Sequence, residues 1–288
     1  MYSAKIENKN GDLMILTGDE PVYQVVSIQG LNPPPAQINT TNIVNMDGSR
    51  YNSAKLLTRN LVITIRINGE VEQNRLRLYR YFKTKEWCTF YYKNDSVDVN
   101  IAGYVESVEC DLFSRSEMAQ ISILCPFPYF RSVSQIVADS STVFSTFVFP
   151  FSINIDDPVV ISSIDPDSEG YIDVYNGSES ETGVLLEIDF DDAFNSVAVK
   201  NTTTGDEMTL NYAFEAGDKV LINTTRGEKS VILARGSIFT NIFSSLAPGS
   251  VFFQLVMGVN RFQYLVNGVE NTEDVFLIFK YYTLYRGV

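Results

Sequence analysis

Leu61-Val62-Ile63-Thr64-Ile65-Arg66-Ile67-Asn68-Gly69-Glu70-Val71-Glu72-Gln73-Asn74-Arg75-Leu76-Arg77-Leu78-Tyr79-Arg80-Tyr81-Phe82 changes its period midway, and that change decides how the chain is read. Leu61, Ile63, Ile65 and Ile67 recur at every second position, the spacing of a strand with one buried face. Asn68-Gly69 is a turn dipeptide. From Glu70 to about Glu86 the spacing becomes helical: Val71, Leu78 and Phe82 share a face, and Leu76 and Tyr79 widen the stripe. Glu70 and Glu72 in the first turn and Lys83 and Lys85 near the end suit the helix dipole. This is the one convincing helix; the sequence on either side reads as β.

Upstream, Tyr23 to Gln29 is a strand that stops at Asn32-Pro33-Pro34-Pro35, since proline cannot donate to a ladder. Gln37 to Arg59 is polar, with only Ile43, Met46 and Leu56 scattered through it, and reads as a long loop. Compact domains keep loops of that length for function or for a partner. Downstream, Trp87 to Tyr92 and Val97 to Phe113 form a strand pair around Lys93-Asn94-Asp95-Ser96, and Met118 to Cys125 runs into Pro126-Phe127-Pro128-Tyr129-Phe130. Beyond Gly170, short β-rich runs recur: Tyr171 to Tyr175, Val184 to Phe190, Val197 to Lys200, Met208 to Tyr212, Lys219 to Asn223, Ser230 to Ala234, Val251 to Met257, Phe262 to Val266 and Val275 to Tyr282. Asn176-Gly177, Gly217-Asp218, Arg226-Gly227 and Asn267-Gly268 are among their separators. That regularity predicts a sandwich or a jelly roll.

The 288 residues exceed the roughly 100–200 of a single domain. The charge balance also shifts beyond Ser132. Residues 1 to 132 hold 14 Lys+Arg and 14 Asp+Glu, net 0; residues 133 to 288 hold 8 and 21, net -13. Two domains follow, 1–132 and 133–288, the second opening with a connecting region up to about residue 168. Its acidity should repel nucleic acid and anionic membrane surfaces. No run of about 18 apolar residues occurs and Met1 to Glu7 has no signal-peptide core, so a soluble cytoplasmic product is expected.

The chemistry available is narrow. Histidine is absent, which removes the commonest general base and metal ligand and every Ser-His or Cys-His nucleophile. Cys88, Cys110 and Cys125 form no C-x-x-C pair and read as buried free thiols. Asp156-Asp157 and Asp191-Asp192 are adjacent, so on a strand each pair would point to opposite faces. Asp165-Pro166-Asp167-Ser168-Glu169-Gly170 gathers oxygen donors but lacks the twelve-residue calcium-loop pattern. There is no phosphate-binding glycine motif. No catalytic residue, cofactor or metal is therefore assigned. Arg75, Arg77 and Arg80 with Tyr79, Tyr81, Phe82 and Trp87 read as the solvated or subunit-facing edge of an amphipathic helix rather than a nucleic-acid surface. Tyr171, Tyr175, Tyr212 or Tyr264 would stack on sugar rings if they faced water.

A more specific signal is an ordered series of motifs: Gly30-Leu31-Asn32-Pro33-Pro34, Met46-Asp47-Gly48-Ser49-Arg50-Tyr51-Asn52-Ser53, Asn68 to Tyr79, Cys88-Thr89-Phe90-Tyr91-Tyr92, Gly103-Tyr104-Val105-Glu106 and Cys125 to Phe130. Over about residues 15 to 131 it resembles the distal tail proteins of long-tailed, non-contractile phages of Gram-positive hosts. Ala216 to Val220, Thr225 to Lys229 and Tyr285-Arg286-Gly287-Val288 continue the likeness more loosely. The resemblance implies a mainly β protein: an amino-terminal β-rich, ring-forming domain with one α-helix, then a galectin-like β-sandwich. It implies a virion tail-tip hub in six copies, without enzymatic activity, that joins the tail tube protein to a tail-associated lysin or spike and carries receptor-binding proteins at its rim. Membrane and sequence-specific nucleic acid are not expected partners. Loop length and exposed charge, not a family signature, put the subunit contacts at Asp47, Gly48, Arg50 and Tyr51 and at Arg75 and Arg80. The alternative function is a carbohydrate-binding module for adsorption to the host cell wall.

Overall fold

The alternating segment forms the strand Arg59–Ile67, and Leu61, Ile63, Ile65 and Ile67 are all buried on one side of it. The computed structural model describes residues 2–18, 22–45, 47–111, 117–140, 143–145, 162–164, 171–270 and 274–288. Over them the protein consists of antiparallel sheets and a single α-helix. The chain forms two units, Met1–Ser134 with Leu284–Val288, and Gln135–Thr283.

In the first unit, β1 (Ser3–Asn8), β2 (Leu13–Ile15), β3 (Tyr23–Gln29), β6 (Arg59–Ile67), β7 (Trp87–Lys93), β8 (Asp98–Cys110) and β9 (Met118–Cys125) lie in the order β2-β1-β7-β8-β9-β6-β3. β10 (Phe130–Ser132) pairs with β8, and β24 (Leu284–Tyr285) pairs with β10. The last five residues, which the sequence groups with the second domain, thus belong to the first unit, and two of them to its sheet. Ile6, Leu61, Ile63, Phe90, Ile121 and Phe130 are among the side chains of its core. Helix α1 (Val71–Tyr81) adds Leu78, and Phe82 follows just beyond it.

Helix α1 is shorter than its sequence predicts. Phe82 leaves helical geometry at φ -99° and ψ 83°, its N–H still donating to Leu78 O. Lys85 takes a positive φ of 73° and donates its N–H to Val105 O, so pairing with β8 overrides continued helix. Arg80, not Lys83 or Lys85, occupies the last turn, and Leu76 is exposed rather than part of the apolar stripe.

The largest departure lies between Ala36 and Leu56. What reads as a loop is a hairpin, β4 (Ala36–Asn42) and β5 (Ser49–Leu56), forming a two-stranded sheet of its own. It buries no side chain, so it leaves no hydrophobic alternation in the sequence by which a strand is recognised.

Arg59, at the foot of this hairpin, is 1% exposed. Its guanidinium donates to Asn32 O (2.7 Å), Gly30 O and Arg286 O, its Nε donates to Pro128 O (2.8 Å), and it lies 4.5 Å over the Phe130 ring. Gly30 makes the approach possible: its φ is +88°, and a Cβ there would meet Asn60 O at 2.2 Å. Val288 N–H donates to Leu31 O, and Gly287 packs on Pro33.

The second unit pairs a six-stranded with a five-stranded sheet. The first runs β11 (Ile136–Asp139), β23 (Val275–Tyr281), β15 (Leu185–Phe190), β18 (Lys219–Asn223), β19 (Ser230–Arg235), β20 (Ile238–Asn241). The second runs β14 (Ile172–Asn176), β21 (Gly258–Val266), β16 (Phe194–Asn201), β17 (Glu207–Phe214), with β22 (Val269–Glu270) beside β21. β12 (Val143–Ser145) and β13 (Ser162–Ile164) pair only with each other. One core takes Leu186, Ile188, Val220 and Phe279 from one sheet and Val174, Val199, Leu210 and Phe262 from the other, the arrangement of a sandwich. Val251 to Met257 is not a strand. Phe253 and Leu255 are buried, but the segment's backbone bonds go to Glu207, Thr182 and the Asn260 side chain instead of one neighbouring strand.

Replacing Arg59 by methionine leaves four carbonyls without their donor in a dry site, so the first unit should lose about 3–5 kcal/mol. Scanning calorimetry should show its transition falling while that of the second unit stays in place. Deleting residues 284–288 should shift the same transition by less.

Candidate assembly surface

The hairpin's register sorts its side chains into two unlike faces. Ala36, Ile38, Thr40 and Asn42 stand opposite Leu56, Ala54, Tyr51 and Ser49, so one face carries no charge. Gln37, Asn39 and Thr41 stand opposite Lys55, Ser53 and Arg50, a polar face with two cations. A bulge between Asn39 and Thr40 brings Tyr51 level with Thr40. Ile38 is 63% and Tyr51 62% exposed. Asn39 Nδ2 donates to Ser53 Oγ (3.1 Å) and Asn52 Nδ2 to Thr41 Oγ1 (2.6 Å), which tie the strands together but add no core. A two-stranded hairpin in water is marginal at best.

Of the residues expected at subunit contacts, Asp47 and Gly48 lie at the hairpin tip, where Asn45 and Gly48 take positive φ values of 67° and 86°. Arg50 and Tyr51 lie on β5, on opposite faces. Met46 lies outside the described residues. Arg75 and Arg80 sit on helix α1, and no described hydrogen bond or ion pair joins them to the hairpin. Arg75 is bonded to Glu72 and stacks over Tyr79 at 5.8 Å, so its charge is largely offset within the helix. Arg80 is exposed and, with Arg77, lines a cleft of about 760 Å³ whose other borders include Asp12, Leu13, Ile15 and Val22. Tyr81 ties helix to sheet there by donating to Ile6 O and Asp12 O.

Residues that reactive chemistry would use are otherwise engaged. Burial pushes the Cys88 and Cys125 thiols up to about 12, away from the thiolate, while Cys110 is only half-buried, contrary to the expectation for all three. Asp191 and Asp192 lie in an exposed turn, where Asp192 Oδ1 accepts its neighbour Ala193 N–H. Asp156-Asp157 and the segment Asp165 to Gly170 lie outside the described residues. Among the described residues no cluster of three His, Cys, Asp or Glu side chains could hold a metal ion.

The tyrosines of the second unit divide. Tyr264 is buried, its hydroxyl donating to Val275 O (3.2 Å), and Tyr212 packs on Phe214 with ring centroids 5.5 Å apart. Tyr175 is exposed and Tyr171 half-buried. Asp218 closes the turn before β18: its buried carboxylate accepts Arg235 Nε (2.8 Å), Arg235 Nη2 (2.7 Å) and Glu215 N–H (2.9 Å). Residues 177–280, which contain this turn, match the family model described as siphovirus-type tail component, C-terminal domain.

Residues 177–280 are thus similar to the C-terminal domain of siphovirus-type tail components. The motifs resemble this tail-protein family most over residues 15 to 131, yet the family model matches the half where that likeness is looser. The folds agree over nearly the whole chain. The Dit protein (gp 19.1) of SPP1, described as a paradigm of the hub adsorption apparatus in Gram-positive infecting phages, superposes with a TM-score of 0.68 at 14% identity, covering 96% of this chain and 98% of that one. A chain of the phage P2 baseplate in its activated conformation with Ca gives 0.57 at 12% identity, with 100% of both chains covered. The p2 baseplate in its activated conformation with Sr gives 0.53 at 10%, covering 97% and 98%. No curated protein matches the chain. The chain is mainly β, as its sequence predicts, and shares this fold.

The domain also carries an acid-sensitive bond. Hydrogen bonds from Arg235 hold the Asp218 carboxyl below the usual carboxylate range, against the upward push of burial. A carboxyl depressed in the folded state stabilises it above the unfolded value of about 4, and that contribution disappears as pH falls through the folded value. The melting temperature of the second unit should therefore drop as pH is lowered below about 4. Asp218→Asn should lower it at neutral pH and flatten the acid slope, as calorimetry across that range would read.

Proposed function

We propose that this protein is the structural hub of a phage tail tip, a homo-oligomeric ring that joins the tail tube to the lysin or spike below it and carries receptor-binding proteins. The observation that carries this reading is the hairpin β4–β5. Its side chains are nearly all exposed, it has no core of its own, and one face is uncharged with Ile38 and Tyr51 standing into solvent. A ladder of that kind is stable when a second surface covers it. The fold shared over the whole chain with SPP1 Dit supports the hub role, and the resemblance supplies the copy number of six.

The residues assigned to subunit contacts remain Asp47, Gly48, Arg50, Tyr51, Arg75 and Arg80. The hairpin has the stronger case, because Arg75 is already paired with Glu72. The first domain, net 0 by sequence, suits a ring through which DNA passes without binding. Two domains with separate duties are proposed: assembly by residues 1–132 together with the closing segment 284–288, and outward presentation by the remainder of 133–288.

Light scattering after size-exclusion chromatography and negative-stain imaging should find a six-fold ring, in the presence of the tail tube protein if needed. Ile38→Asp/Tyr51→Asp should leave melting unchanged and abolish the ring. A protein that stays monomeric at tens of micromolar with and without the tube protein, or a ring that survives the double substitution, would falsify this reading.

A further inference from the structure

Leu13, Met14 and Ile15, all three residues of β2, line the cleft that Arg77 and Arg80 border, so it runs along the edge of that strand and not against one face of it. β2 pairs with β1 and with no other described strand. Asn8 N–H donates to Asp12 O and Leu16 N–H to Ala4 O, so the peptide groups of Leu13 and Ile15, which alternate with these bonds, point away from β1. Their side chains are 51% and 59% exposed, while Met14 turns into the core that Leu78 of helix α1 shares. Across the cleft Arg77 and Arg80 are both exposed, and among the described residues neither forms a hydrogen bond or an ion pair. The carboxylate on the described lining, that of Asp12, already accepts a bond from Asn8 Nδ2 (3.1 Å).

We infer that this cleft takes an extended segment of another protein, acidic at every second residue and apolar between, which adds to β2 as a strand. A strand edge binds main chain to main chain whatever the sequence, and the side chains around it then choose among sequences. Those of an added strand alternate between two faces. On the side of helix α1 they meet Arg77 and Arg80; on the other they lie beside Leu13 and Ile15. Carboxylates suit the first set and apolar groups the second. The spacings agree as well: residues three apart on a helix stand about 5–6 Å apart at Cβ, and alternate residues of a strand about 6.6 Å. Two unpaired cations against one bonded carboxylate leave the described lining positive, which disfavours a basic segment. The three residues of β2 extend about 10 Å, so a segment of about six residues covers the edge. This inference goes beyond the ring and leaves the hairpin contacts as they stand, but gives Arg80 a partner other than a second copy.

The test is fluorescence anisotropy on the full chain with two labelled hexapeptides, one alternating glutamate with valine and one alternating lysine with valine. The glutamate peptide should bind and the lysine peptide should not. Arg77→Gln/Arg80→Gln should weaken binding about three- to tenfold, as should raised salt. Ile15→Pro removes an N–H that β1 does not use, a change edge strands tolerate, so it should melt nearly as the parent does and lose the peptide. Equal binding of both peptides, binding of neither, unchanged affinity in the arginine variant, or full binding by a folded Ile15→Pro chain would each overturn the assignment, as would a second copy shown to fill the cleft. The arginine variant leaves the backbone untouched and decides the matter if the proline variant does not fold. Light scattering on the same samples keeps loss of the ring distinct from loss of peptide binding.

Discussion

The first unit depends on one buried cation. Arg59 holds carbonyls of Gly30, Asn32, Pro128 and Arg286, which come from three stretches of chain far apart in sequence. A guanidinium suits this task because its donors form a rigid planar fork; lysine offers a point charge and could not address all four directions. Desolvation lowers the Arg59 pKa, yet a group starting so high stays protonated. With its hydrogen bonds made and its face on Phe130, the charge is compatible with burial.

The same contact governs connectivity. The chain leaves the first unit after Ser134 and re-enters it at Leu284, and β10 and β24, which carry the two crossings, pair with each other. The closing Tyr285-Arg286-Gly287-Val288 and the early Gly30-Leu31-Asn32-Pro33-Pro34 are runs that resemble the distal tail proteins, one at each end of the chain. They share a physical purpose here: both surround Arg59. The second unit is complete without that cation, since its two sheets share an apolar core and its charged residues pair at the surface, as in Lys219 with Asp189 and Arg261 with Asp173.

The hairpin is the opposite case. Its ladder satisfies its own backbone but buries nothing within the chain, so its stability is incomplete in a single copy. Joined directly to the strand that begins with Arg59, it rises from the most firmly held point of the first unit. An arm that must meet a partner in a defined direction gains from such a root, because less freedom is lost on binding.

Alternation alone identified β6, and it placed most strands of the sandwich, because a strand with one buried face records that burial every second residue. Histidine's absence likewise restricted the chemistry without any coordinates. The hairpin was not legible, since Gln37-Ile38-Asn39-Thr40-Thr41 and its partner strand have no buried face to record. Nor could Arg59 be recognised as the centre of its unit, because its four acceptors are backbone carbonyls, which every residue type possesses. The pairing of Asp173 with Arg261 was hidden for a related reason: 88 residues separate them, and only strand register puts them side by side. Local pattern reports what each segment buries; which distant segments meet is decided by the sheets they form.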